Sequence, residues 1–221
     1  MNLFDILGPV MVGPSSSHTA GAARIGLTAR RLLGEGTPRK ATITLYGSFA
    51  ATGRGHGTDR ALIAGLLGYR PDDERISDSF RWAQGHGMEF SFDYSKLAAE
   101  HPNTARVELV SKSGKTISVE ACSLGGGRIM IVELNGLRVQ FSGDMPTLIV
   151  QNMDQPGVVG TVAGTLAAED VNIATLQVYR DYPGGKAVMI IETDKAIPKH
   201  VQETLRGKEG IITVTAIKGD C

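Results

Sequence analysis

Two stretches of the chain concentrate side chains able to do chemistry. In Gly13-Pro14-Ser15-Ser16-Ser17-His18-Thr19-Ala20-Gly21, four hydroxyls surround one imidazole just ahead of an apolar, periodic segment. Free N–H groups at a helix start carry partial positive charge, and hydroxyls beside them make a pocket suited to a carboxylate or phosphate. His18 adds a group that titrates near neutral pH. The second stretch, Gly47-Ser48-Phe49-Ala50-Ala51-Thr52-Gly53-Arg54-Gly55-His56-Gly57-Thr58-Asp59, reads as a loop between a strand and a helix. Glycines flanking His56 let the backbone approach a ligand closely, and Arg54 is suited to a carboxylate. The missing Gly-Lys-Ser/Thr ending disfavours a nucleotide P-loop in the first stretch, and Gly-x-Gly-x-Gly alone is weak evidence for a dinucleotide site in the second.

Regular elements must hold these stretches. Ala22, Ile25, Ala29, Leu32 and Leu33 recur at helical spacing, which predicts an amphipathic helix over residues 19–33 capped by Ser16 or Ser17. Ile43 and Leu45 alternate with threonines in a half-buried strand over 41–46, which ends at the glycine-rich loop 47–57. A second helix follows, with Thr58 as cap, Asp59 at its positive end and Leu62, Ile63, Leu66 and Leu67 buried; Gly68 closes it. A short helix is expected over 77–84. From Arg106 the pattern becomes strands, with a turn at Ser113-Gly114 and a two-residue hairpin turn at Asn135-Gly136 between strands 128–134 and 137–141. This half is α+β.

The polar segment 142–146 interrupts two apolar stretches and sets the expected boundary between domains 1–145 and 146–221. Beyond it, strand 147–152, helix 157–168, strands 171–180 and 187–192, helix 198–205 and strand 211–217 follow in the order β-α-β-β-α-β, the ferredoxin-like split motif. Asp154-Gln155-Pro156-Gly157 forms a corner there: proline sets the first helical turn, and exposed N–H groups suit a carboxylate.

Composition narrows the classes. Lys+Arg and Asp+Glu number 23 each, so no net field draws nucleic acid or an anionic membrane. No apolar run approaches the roughly 20 residues of a membrane span, and the expectation is a cytoplasmic protein. The two cysteines, Cys122 and Cys221, form no CxxC, so no self-contained disulfide scaffold, zinc site or iron–sulfur site is expected.

Residues 147–218, through the D-x-P-G corner and Val171-Asn172-Ile173, resemble the ACT domain, a module that binds amino acids between two copies. The resemblance implies effector contacts at Asp154, Gly157 and Asn172, and self-association. G-P-S-S-S-H-T-A-G and G-S-F-A-A-T-G-R-G-H-G-T-D together closely resemble the beta chain of the iron–sulfur L-serine dehydratases in their two-subunit form. That family converts L-serine to pyruvate and ammonia with a [4Fe–4S] cluster whose cysteines belong to an alpha chain. The resemblance implies an alpha-subunit partner, substrate contacts from Ser15, Ser16, Ser17, Thr19 and Arg54, and proton transfer or hydroxyl orientation by His18 and His56. His56 is the preferred general base, because its glycine flanks let it reach another chain. Two other readings stand beside this one. A free-standing ACT-type sensor would have no need of the histidine loops, and a phosphate-binding enzyme would lack a lysine and an acidic metal site.

Overall fold

The computed structural model describes residues 10–219, and of Arg54 the backbone only. Contacts divide the chain into two compact units that meet in sequence at Gly136 and Leu137.

The first unit opens with a π turn, Ser16–Gly21, that runs directly into helix α1 (Ala22–Leu33). The expected helix is present with its first turn widened, and its cap lies one residue early: Ser15 Oγ accepts from the His18 N–H at 3.1 Å. Wide turns of this kind are frequent at functional sites. The Gly21 backbone lies tight against the Ser123 side chain, since a Cβ there would fall 2.0 Å from Ser123 Oγ. Strand β1 (Lys40–Leu45) buries Ala41, Ile43 and Leu45, as its alternation requires.

Residues 47–57, expected as a loop, form helix α2 (Gly47–His56). Glycine and threonine are poor helix formers, so tertiary contacts decide the outcome. Phe49 is wholly buried, and the Ser48 and Phe49 N–H groups donate to the Pro102 carbonyl at 2.7 and 3.4 Å. Gly57, left-handed at φ 71°, separates α2 from α3 (Thr58–Leu67) and serves as its N-cap without a side-chain hydrogen bond. Thr58, the expected cap, is instead buried inside the helix start. A 3-10 turn, Glu74–Asp78, leads into α4 (Ser79–Gly85).

Strand β2 (Glu89–Tyr94), which hydropathy reading did not reveal, is followed by β3 (Thr104–Val110), β4 (Thr116–Gly125) and β5 (Arg128–Leu134). Their order is β2-β1-β3-β4-β5, with β2 parallel to β1 and the other pairings antiparallel. Ile43 faces Val107, which faces Val119, so one inward row crosses three strands. Cys122, on β4, is buried, and burial pushes its thiol pKa up, as suits a small core residue. Helix α1 packs on this sheet and α3 packs on α1. Their crossing is backbone on backbone: a Cβ on Gly26 would meet the Leu62 carbonyl oxygen at 2.2 Å, and one on Gly65 the Ala23 carbonyl oxygen at 2.1 Å.

Asn135 and Gly136 both adopt positive φ, 50° and 82°, the conformation of the expected two-residue turn. The second unit begins with β6 (Leu137–Phe141), ahead of the polar segment 142–146, and β6 packs with later strands of that unit. It continues as β7 (Thr147–Met153), α5 (Val158–Ala168), β8 (Ile173–Arg180), β9 (Lys186–Thr193), α6 (Lys199–Arg206) and β10 (Ile211–Ile217). The sheet order β10-β7-β9-β8, antiparallel throughout, is the ferredoxin-like arrangement expected. Leu148, Val150, Met189 and Ile191 pack with Val162, Leu166, Val201 and Leu205 of the two helices. No helix among the described residues is long and apolar enough to cross a membrane.

Candidate active site

His18 stands in the π turn ahead of α1, and His56 is the last residue of α2, just ahead of α3. The α1–α3 crossing therefore brings the two loops together, and the imidazole centroids lie 5.0 Å apart at a 51° tilt. Their surroundings differ. The His18 ring is half-buried against Phe49, edge to face at 5.2 Å. Its Nε2 is 3.1 Å from both Ser48 Oγ and Thr52 Oγ1, and its Nδ1 is 3.4 Å from Ser15 Oγ. The His56 ring is exposed, and among the described residues its nitrogens have no hydrogen-bond partner; its carbonyl accepts from Thr19 Oγ1 at 3.3 Å.

Burial, and then the neighbouring His56, lower the pKa of His18 below the ordinary histidine value, partly offset by a hydrogen bond to Ser48. The unfolded chain consequently binds this proton more readily than the folded one. Stability from this source is whole above about pH 6.5, falls as pH drops from there through the lowered folded value, and then levels off. Urea titrations across that window should give a pH slope that His18→Gln reduces; an unchanged slope removes His18 as its origin.

A cavity of about 550 Å³ opens beside the histidines, with His56, Thr19 and Asp59 on its wall together with Arg60, Ser77 and Phe80. Arg60 Nη1 donates to the Ser77 carbonyl at 2.9 Å, and Asp59 Oδ1 accepts from the Arg60 N–H at 2.8 Å. His18 is not on this wall, nor are Ser15, Ser16 and Ser17. Ser15 is engaged with His18, Ser16 Oγ accepts from the Gly126 N–H at 3.3 Å, and Ser17 stands beside Gly125, where a Cβ would come within 3.5 Å of its Oγ. Of the expected substrate contacts, the structure brings only Thr19 to the cavity; Arg54 has its backbone in α2, and its side chain lies outside the described residues. Ser48, Thr52, Asp59 and Arg60 were not singled out as site residues from sequence. Ser48 and Thr52 were legible only to a helical reading of 47–56, which puts positions i and i+4 on one face.

Among the described residues, no group of three or more His, Cys, Asp or Glu side chains converges to hold a metal ion. The buried Cys122 stands alone, and Cys221 lies outside the described residues. The described donor set does not fit an iron–sulfur cluster.

In the second unit, Asp154 Oδ2 accepts from the Gly184 N–H at 3.1 Å and from Arg180 Nη1 at 2.8 Å, and these contacts, the backbone one foremost, hold its carboxyl below the usual range. Gly157, at φ 90°, starts α5. Asn172 Nδ2 donates to Asp194 Oδ2 at 2.6 Å. Arg180 ends β8 whereas Asn172 precedes its start, so within one copy the proposed effector residues sit at opposite ends of the strand, roughly 25 Å apart at about 3.4 Å per residue.

Residues 2–84 match the family described as Serine dehydratase beta chain, and residues 147–210 match the ACT domain. Over 216 residues the chain is 43% identical to the probable L-serine dehydratase, beta chain, of Bacillus subtilis (strain 168), covering 98% of this chain and 97% of that one. The chain belongs to the L-serine dehydratase beta-chain family. It is also 35% identical over 216 residues to the L-serine dehydratase, beta chain, of Peptoniphilus asaccharolyticus, covering 97% of each. Beyond beta chains, 154 residues are 42% identical to L-serine dehydratase 1 of Escherichia coli (strain K12), covering 59% of this chain and 33% of that protein. The full-length matches favour the beta-chain reading over a free-standing sensor.

Proposed function

We propose that this beta chain works with a cysteine-bearing alpha subunit as a lyase that deaminates L-serine to pyruvate and ammonia. The observation that carries the reading is the convergence of His18 and His56, from separate segments, beside a cavity with acidic, basic and hydroxyl groups on its wall. In this reading the alpha subunit's cysteines would hold a [4Fe–4S] cluster, which would supply Lewis acidity toward the substrate hydroxyl.

Placement supports the following roles for this chain's residues. A zwitterionic amino acid needs an acceptor for its ammonium and donors for its carboxylate. Asp59 and Arg60, adjacent on the wall, provide both, and Thr19 contributes a hydroxyl. Ser15, Ser16 and Ser17 line the turn beside His18 and are proposed as further substrate contacts, as is Arg54, a residue of the same helix as His56. His56 takes the α proton at an imidazole nitrogen, the Cβ–O bond breaks with loss of hydroxide, and aminoacrylate results. Tautomerisation to an imine and hydrolysis then give pyruvate and ammonia.

The functional division proposed is 1–145 for catalysis and 146–221 for amino-acid sensing, in a cytoplasmic enzyme. Self-association is supported by the outer edge of β8, which pairs with no further strand among the described residues, and by Val159 of α5 and Val178 of β8, which are exposed. Antiparallel pairing of two β8 edges sets the start of one strand beside the end of the other, which would join the Asp154 and Asn172 halves of an effector site.

Anaerobic co-expression with the alpha chain tests the reading. Pyruvate formed from L-serine by the pair, and by neither chain alone, is the expected result. Amino-acid binding without turnover in any combination would favour the sensor instead.

A further inference from the structure

The hydroxyls around His18 favour one arrangement of protons. Thr52 Oγ1 lies 2.9 Å from the Ser48 carbonyl oxygen, four residues back along α2, and donates its single proton there. Toward His18 Nε2, 3.1 Å away, that oxygen is left with lone pairs. A bare Nε2 would set lone pair against lone pair, so Nε2 carries the hydrogen and points it between Thr52 Oγ1 and Ser48 Oγ, also at 3.1 Å. On the opposite edge, Ser15 Oγ accepts from the His18 N–H at 3.1 Å and keeps its own proton for Nδ1 at 3.4 Å.

Resting on the dehydratase reading for its functional part, we infer that Ser48 and Thr52 are positioning residues that hold His18 as the neutral tautomer protonated on Nε2. Three consequences follow from the geometry. The imidazole plane is fixed beside His56, 5.0 Å away. Ser15 is held with its hydroxyl turned toward the ring, which shapes the turn that carries Ser16 and Ser17. When His56 takes up a proton, its neighbour is uncharged; a cation at that distance would oppose the uptake. Burial and the proximity of His56 both act against protonation of His18, in agreement with this arrangement. The division of labour is therefore chemical: the enclosed histidine orients and the exposed one exchanges protons.

Nitrogen NMR of the full-length chain labelled at histidine reads the tautomer directly, with the His18 signals identified by their loss in His18→Asn. A protonated Nε2 and a bare Nδ1 are expected in the unsubstituted chain and in Thr52→Ser. In the double variant Ser48→Ala, Thr52→Val the proton should move toward Nδ1, where Ser15 Oγ can accept it. Protonation on Nδ1 in the unsubstituted chain, or an unmoved proton in the double variant, overturns the assignment. In the reconstituted pair, loss of one such hydrogen bond in Thr52→Val should lower kcat about tenfold at nearly constant KM, and Thr52→Ser should restore it. Equal kcat in all three overturns the positioning role. Absence of turnover in the unsubstituted pair removes the dehydratase reading, and with it that role, while the NMR measurement still decides the tautomer.

Discussion

His56→Ala is expected to lower pyruvate formation by the alpha–beta pair by about 10²–10⁴-fold, the usual contribution of a positioned general base. The loss should fall on kcat, because the ammonium and carboxylate contacts proposed for Asp59, Arg60 and Thr19 survive the substitution. Folding should be little affected: the ring is exposed and, among the described residues, its nitrogens bond to nothing, while the His56 carbonyl that Thr19 uses remains in alanine. The comparison with His18→Ala separates the two roles. Loss of His18 should disturb the turn as well as turnover, since that ring touches Ser15, Ser48, Thr52 and Phe49. Single-turnover rates with L-serine check the prediction, and an alanine variant that keeps most of its turnover would remove His56 as the base.

Gly65→Ala should destabilise the first unit by about 3 kcal/mol or more, at the upper end of overpacking effects. The added methyl would sit 2.1 Å from the Ala23 carbonyl oxygen and 2.6 Å from the Leu27 nitrogen. Both are backbone atoms of α1, so no side-chain rotation relieves the clash and the helices must separate. Gly164→Ala is the control: on α5 nothing lies within 4 Å of the added methyl, and helix propensity alone should stabilise by roughly 0.5–1 kcal/mol. Denaturant titration of both variants tests the pair of expectations. Equal stability of Gly65→Ala and the unsubstituted chain would mean the helices do not cross this closely. The same contact sets the spacing of the histidines, because His18 precedes α1 and His56 precedes α3. A variant that survives folding should still lose turnover.

Elements with a strong hydrophobic period were legible before any coordinates. Helices α1 and α3, the strands β3 to β5 and the whole second unit follow their apolar spacing, because burial on one face is what their residues can achieve. Helix α2 was not legible. Its glycines and threonines argue for a loop, and it is helical because Phe49 is drawn into the core and Pro102 offers its carbonyl to the helix start. Neither cause is local. Strand β2 escaped for a related reason: at the sheet edge its Phe90, Phe92 and Tyr94 are only half-buried, and its pairing with β1 is parallel and long-range. At the site, residue types pointed to His18, His56 and the hydroxyl cluster, but not to which hydroxyl meets which nitrogen. The pairing of Ser48 and Thr52 with His18 depends on the α2 register, and Asp59 joins the cavity wall only after Gly57 turns the chain.

The separation of Asp154 from Asn172 along β8 bears on how regulation would behave in the cell. An effector that needs both residues finds half a site on a solitary copy, so its grip depends on how much of the protein is paired. Sensing would then fade on dilution, and a scarce protein would respond to its effector less than an abundant one.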